Sequence, residues 1–278
     1  MENVRRMRDL SSPVIMDDGT VNLQAINFSA VDMYQRCGKQ YWFRYVKGRR
    51  SPPSIALAEG SSHHKAVEED NLEKMSHDRE LTSKKLTELF VHEFRNLVPV
   101  YQRECDELKT DLDWGGEDED AVVRRAKILH DHYSSKFSPH LRPVMVEEAV
   151  SKEYEVGGVK FRLFGQLDMA TRDTVWDYKA VKRAKTERDA RESVQLGVYA
   201  KMVGKAKTGF ISFVKQKPHV EVVRVERTPS ETAWSLEVVA SVVDSIRRGS
   251  FPLAKPDPMS WWCSQKFCGY WDDCRGKK

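Results

Sequence analysis

Three residues near the middle of the chain carry groups able to hold a divalent cation and place an amine beside it if folding brings them together: Asp168, Asp177 and Lys179. They lie in VKFRLFGQLDMA, the polar turn TRDT and VWDYKAV, which read as a β-hairpin turning at Arg172 and Asp173. Counting outward from that turn, Asp168 faces Asp177 with Cβ atoms roughly 4.5–5.5 Å apart, and Lys179 shares their face opposite Gln166. Leu167, Met169, Trp176 and Tyr178 fall on the other face as a core set. Two carboxylates across a ladder repel each other unless a cation lies between them, and hard oxygen ligands suit Mg²⁺ or Mn²⁺. Register is the condition. Arg-Asp is not a favoured hairpin pair, and a slip of one residue would send the two carboxylates to opposite faces.

A second group of residues is sulfur. The chain has five cysteines, and Cys263, Cys268 and Cys274 fall in the tail segment WWCSQKFCGYWDDC. With an odd count and no export signal, metal ligation or plain burial is expected rather than a disulfide framework. Cys105, inside a predicted helix, reads as a buried small hydrophobe. The aromatic runs Tyr41-Trp42-Phe43-Arg44-Tyr45 and Trp261-Trp262 either stack bases or pack a core.

The elements that must position these groups follow from periodicity and capping. Residues 1–27 read as a loose or strand-forming arm. Ser29 with Asp32, stapled by Phe28 and Met33, opens a helix over 29–46, and further helices are expected over 58–75, 80–109 and 118–137. Pro99 should kink or end the second of these three, and the acidic stretch 111–120 reads as an exposed loop. From Pro143 the pattern turns to strands: VMVEEAVSKEYEV, a Gly157-Gly158 turn, and the hairpin above. Thr186 and Asp189 cap a helix to about Val203, GFISFV and VEVVRVER add two strands, and Thr228, Pro229 and Glu231 open a last helix ending at Gly249. The implied fold is α/β, with a mixed central sheet built strand-strand-strand-helix-strand. One domain is expected, with a helical part over 28–140, a core over 141–250 and a cysteine-rich tail over 251–278.

Charge adds little, since 46 Lys and Arg against 42 Asp and Glu give a net charge of +4, compatible with a polyanionic partner but not diagnostic of one. A mean hydropathy of −0.61, with no apolar run near the ~18 residues a span requires, points to a soluble, cytoplasmic chain without a membrane partner.

Four short motifs occur in order: Gly60-Ser-Ser-His-His64, Gly165-Gln-Leu-Asp168, Asp177-Tyr-Lys179 and Gln195-Leu-Gly-Val-Tyr199. In this the sequence resembles the RecB-like branch of the PD-(D/E)xK nucleases, which includes nuclease domains of bacterial recombination helicases, CRISPR-associated RecB-like exonucleases and many phage nucleases. The resemblance implies a restriction-endonuclease-like core. It also implies that Asp168 and Asp177 hold one or two metal ions at the scissile phosphate, with His64 as a nitrogen ligand favouring Mn²⁺ and His63 as its rival. Lys179 would orient or deprotonate the attacking water, while Gln195 and Tyr199, one helical turn apart, would contact the DNA backbone or support the ligands.

In several such nucleases one cysteine before the motifs and three after them hold a 4Fe–4S cluster, and Cys37 with Cys263, Cys268 and Cys274 looks like that set. The four residues between Cys263 and Cys268, where two are usual, keep structural Zn²⁺ open. In the family the sequence resembles, such a tail and an N-terminal helical region often enclose the active site, so the resemblance implies threading of a strand. The expected function is therefore a Mg²⁺- or Mn²⁺-dependent DNA exonuclease acting on single-stranded ends, in recombination, repair, phage DNA metabolism or CRISPR adaptation. The alternative is a catalytically silent or zinc-stabilised DNA-binding module that keeps the fold.

Overall fold

The structure, a computed structural model, describes residues 13–256 and 258–276. The first twelve residues of the expected N-terminal arm therefore lie outside the described residues. The chain forms two compact units, one of Met1–Ser51, Ala149–Gly165 and Ala233–Lys278, the other of Pro52–Glu148 and Gln166–Thr232. Two long strands, β4 (Pro143–Val156) and β5 (Val159–Thr171), contribute residues to both.

In the first unit, β1 (Val14–Ile15) and β2 (Val21–Asn22) form a small antiparallel hairpin, and β3 (Ala25–Asn27) runs parallel to β5, with Ala25 beside Arg162 and Asn27 beside Phe164. The first helix, α1 (Phe28–Arg36), is capped by Asn27, whose side chain accepts from the Ala30 amide at 2.8 Å, and not by Ser29. It does not run on to residue 46. Cys37 is extended (φ −165°, ψ 109°), and the chain resumes as α2 (Gly38–Tyr41) and a π-helical turn, Trp42–Val46. The break lets the chain come close to residues 251 and 252: the Lys39 amide donates to the Pro252 carbonyl, and a Cβ on Gly38 would meet Pro252 Cδ at 2.6 Å. Much of the aromatic run is core, because Tyr41 and Phe43 are buried, Tyr41 stacked on Tyr45 and Phe251, Phe43 stacked on Tyr270.

In the second unit three helices, α3 (Ile55–His77), α4 (Ser83–Glu107) and α5 (Glu119–Lys136), pack with a sheet through a core that includes Phe90, Phe94, Leu129, Tyr133, Met169, Trp176, Tyr178 and Phe213. Pro99 lies inside α4 without ending it. Cys105 is fully buried there. Strand β5 pairs antiparallel with β6 (Thr174–Val181), β6 parallel with β7 (Lys207–Val214), and β7 antiparallel with β8 (His219–Glu226), the mixed sheet the pattern implies. The β6–β7 crossover is not one helix but two, α6 (Glu187–Glu192) and α7 (Val194–Val203). Ser193 divides them because its hydroxyl caps α7, while the buried Arg227 guanidinium donates to the Ala190 and Ser193 carbonyls, both at 2.6 Å. A long helix, α8 (Pro229–Arg247), begins with the expected Thr228–Glu231 box, and a last short one, α9 (Trp271–Arg275), belongs to the first unit. Among the described residues no helix is long and apolar enough to cross a membrane.

Candidate active site

The β5–β6 turn adopts the register counted from Arg172 and Asp173, with Met169 paired to Trp176 and Ala170 to Val175. Side chains stabilise this otherwise unfavoured turn. Asp173 accepts from Lys207 Nζ at 2.9 Å and from the Thr174 hydroxyl at 2.8 Å, and these contacts, Lys207 above all, hold its carboxyl down at about 2. Leu167, Met169, Trp176 and Tyr178 are all buried, as their face requires.

The ladder stops one step short of the acids. Instead of bonding a β5 carbonyl, the Tyr178 amide donates to Asp168 Oδ2 at 2.8 Å, so the carboxylate takes the place of the ladder partner. The phenol of Tyr178 accepts from Asn71 Nδ2 at 2.9 Å in the core, which ties this point of β6 to α3. Asp177 is 2% exposed, and its carboxylate receives Lys179 Nζ at 2.7 and 3.0 Å.

Helix α3 brings His64 to the same place, with Nδ1 3.5 Å from Asp168 Oδ2. Its rival His63 points the other way, fully buried, with Nδ1 3.2 Å from His130 Nε2 and its ring stacked on Phe213. On β4 stands Glu147, a residue the motif reading passed over. Its carboxylate accepts from Gln166 Nε2 at 2.8 Å, and its backbone is left-handed (φ 47°), a conformation that costs a side-chain-bearing residue on the order of 1 kcal/mol and collects at functional sites. The signal for it is present in the sequence: counted outward from Gly157-Gly158, Glu147 faces Asp168.

Electrostatics mark these acids as wanting a cation. Burial, and then the charge of Asp177, push the Asp168 carboxyl up to about 6 against the pull of His64, Lys179 and the Tyr178 amide. Burial, and then Asp168 and Glu68, push Glu147 up to about 8. One ligand atom each from His64, Glu147 and Asp168 lie within 4.8 Å of one another. Asp177 stands beside this trio, engaged with Lys179, rather than within it. Two carboxylates and an imidazole whose ligand atoms converge form a donor set that suits a divalent metal ion.

Helix α7 supplies the remaining motif residues. Tyr199 donates its hydroxyl to the Gln166 carbonyl at 3.0 Å, just before Asp168 on β5, and Gln195 hydrogen-bonds the same phenol. Burial, and then Asp168 and Asp177, raise the Tyr199 pKa, so it stays a neutral donor.

In the first unit Cys37, Cys263, Cys268 and Cys274 line one pocket together with Gln40, Phe43 and Tyr270. The sulfurs receive N–H groups: Gln40 Nε2 on Cys268 at 3.3 Å and the Ala254 amide on Cys37 at 3.5 Å. Burial, with the other three thiols nearby, raises the Cys274 pKa.

No curated protein sequence matches the chain. Among solved structures, the crystal structure of SSO0001 is similar at 15% identity and a TM-score of 0.35, covering 77% of this chain and 95% of that one. Rai1 of Scheffersomyces stipitis, solved with (3′-NADP)⁺ and a calcium ion, is similar at 9% identity and a TM-score of 0.27, covering 97% and 89%. At such scores neither likeness bears on function. Residues 25–275 match the profile of the PD-(D/E)XK nuclease superfamily, nearly the whole chain and every group just described, and the chain belongs to that superfamily.

Proposed function

We propose that the protein is a Mg²⁺- or Mn²⁺-dependent DNA nuclease of the RecB-like branch, an exonuclease that acts on single-stranded DNA with a free end. The observation that carries the metal-dependent chemistry is the convergence of His64, Glu147 and Asp168 within 4.8 Å beside the Asp177–Lys179 pair. These three would hold the ion, with Asp177 at its border, and the imidazole favours Mn²⁺. A bound divalent ion would polarise a phosphoryl oxygen and acidify a water.

The chain's own groups do the rest. Asp177 holds the Lys179 ammonium at the site's edge, where it orients the attacking water and offsets charge gathering on the phosphate. The Tyr178 amide fixes the Asp168 carboxylate, and Gln195 and Tyr199 brace the strand that carries it.

The pocket of four thiols is read as a 4Fe–4S site. Four thiols that line one pocket suit the cluster, with structural zinc as its competitor. N–H donors on the sulfurs suit thiolate ligands.

The requirement for an end and the preference for single strands rest on the likeness of the motifs to RecB-like nucleases. Recombination, repair, phage DNA metabolism and CRISPR adaptation are settings that use such an activity. Linear and covalently closed circular single-stranded DNA of one sequence, incubated with Mn²⁺, test it: the linear form should be lost and the circle spared. Equal loss of both would replace the exonuclease with an endonuclease.

A further inference from the structure

We propose that the loop leaving β6 is a rail for the nucleic-acid backbone, in which Lys182, Arg183 and Lys185, joined by Lys217 in the next loop, hold the phosphates flanking the one that is cut. This rests on the nuclease reading above and assigns how that site grips its substrate.

Topology puts the loop in the right place. Strands β6 and β7 are parallel and in register, Val181 beside Val214, so both end at the same edge of the sheet. In open α/β sheets ligands gather beyond the carboxyl ends of such strands. Lys179 lies on the last turn of pleat before that edge, and Lys182 follows it by three residues, roughly 10 Å of extended chain. That separation is too long to serve the scissile phosphate and suits its neighbours along a strand.

The loop is also built to hold its charges still. Lys215 N donates to the Val181 carbonyl at 2.8 Å, and the Lys185 amide donates to the hydroxyl of the buried Ser212 at 3.2 Å. Its backbone is therefore pinned to β7 at both ends while Lys182 and Arg183 project into solvent. From Lys179 to Lys185 there are four cations and no acid.

Their neighbours are committed elsewhere. Lys215 is paired with the buried Glu59 at 3.1 Å. Asp189, whose carboxyl Lys185 helps to hold down, accepts from the Thr186 amide and hydroxyl in its capping box. Among the described residues none of Lys182, Arg183, Lys185 and Lys217 makes an ion pair within 4 Å. Several cations strung along one edge match a polymer of phosphates better than a single small anion. An anionic lipid surface is the poorer fit, because residues 182–186 carry no large apolar side chain to insert.

The triple variant Lys182→Gln/Arg183→Gln/Lys185→Gln tests the rail. Binding of a fluorescent single-stranded oligothymidylate is followed by anisotropy in EDTA over a range of NaCl concentrations, with the thermal midpoint as a check on folding. Three lost contacts at about 0.7 each should lower the slope of log affinity against log salt by about 2. With Mg²⁺ or Mn²⁺ the variant should show a raised KM and a kcat within about twofold of the parent, since these residues do not touch the reacting atoms. A slope equal to the parent's overturns the rail, whatever the affinity. A parent that binds the oligonucleotide but never cuts it overturns the nuclease reading instead, so the two failures are distinct.

Discussion

Asp168 and Glu147 are acids that folding makes reluctant to ionise, at about 6 and about 8 against ordinary values of 3.8 and 4.5. Their folded pKa values lie above the unfolded ones, so the folded state binds more protons across the window from about pH 4 to pH 8. Stability without metal must then fall as pH rises through it. Calorimetry in chelator should show the parent's melting temperature falling between about pH 6.5 and pH 8, and Glu147→Gln should flatten that fall. Added Mn²⁺ should restore the parent's stability at pH 8, because ligand carboxylates must lose their protons to bind. Between about pH 6.5 and pH 8 a parent profile that is flat, or a variant as steep as the parent, would contradict the assignment of Glu147.

Asp168, Asp177 and Lys179 were legible by counting from one turn, and Glu147 by counting from the other. The sequence carries no sign that the Tyr178 amide abandons the ladder for a carboxylate, since that depends on where two strands part. Tyr178→Phe tests the anchor behind it. The buried Asn71 amide would lose its acceptor, and urea denaturation should show a loss of about 1–3 kcal/mol, partly regained in Asn71→Leu/Tyr178→Phe where both partners are apolar.

Between elements, the join of α3 to α5 is a pair of buried histidines, His63 and His130, 3.2 Å apart, with His130 also 3.1 Å from the Thr87 hydroxyl. Burial pushes both pKa values down, that of His130 to about 3. For bases depressed in the folded state, stability is present above the unfolded value of 6.5 and drains away as pH falls below it. Asp168 and Glu147 slope the other way over part of this range, so the comparison is between parent and variant. His130→Asn should lose less stability than the parent between pH 6.5 and about pH 4 in urea denaturation, and parallel curves would reject the histidine pair as the cause.

Helix and strand order was readable because caps and periodicity are local, as with Asp118 before α5 and Thr228 before α8. The breaks at Cys37 and Ser193 were not. Each depends on a partner far along the chain, the Pro252 segment for the first and Arg227 for the second, and no local pattern announces either.

At the scale of the whole chain, the mixed sheet and its flanking helices could be read from the sequence, whereas the two-unit division could not, because each unit collects segments that alternate along the chain. The cysteines belong to this scale, since Cys37 and the tail are more than two hundred residues apart and line one pocket. Protein purified without oxygen should be brown with about four irons per chain, and Cys268→Ala should lose colour and thermal stability together. One equivalent of zinc and no colour would keep the four-thiol site and reject the cluster. The central claim is that Asp177 and Lys179, beside the His64–Glu147–Asp168 trio, cut DNA with a divalent metal. It is tested most directly by the cleavage rate of linear single-stranded DNA in Mg²⁺ or Mn²⁺ for the parent, Asp177→Ala and Lys179→Ala at matched occupancy of DNA. Metal-dependent cleavage by the parent, silenced by EDTA and reduced by at least about 10²-fold in each variant with binding retained, is the predicted result; cleavage by either variant at the parent's rate would contradict it.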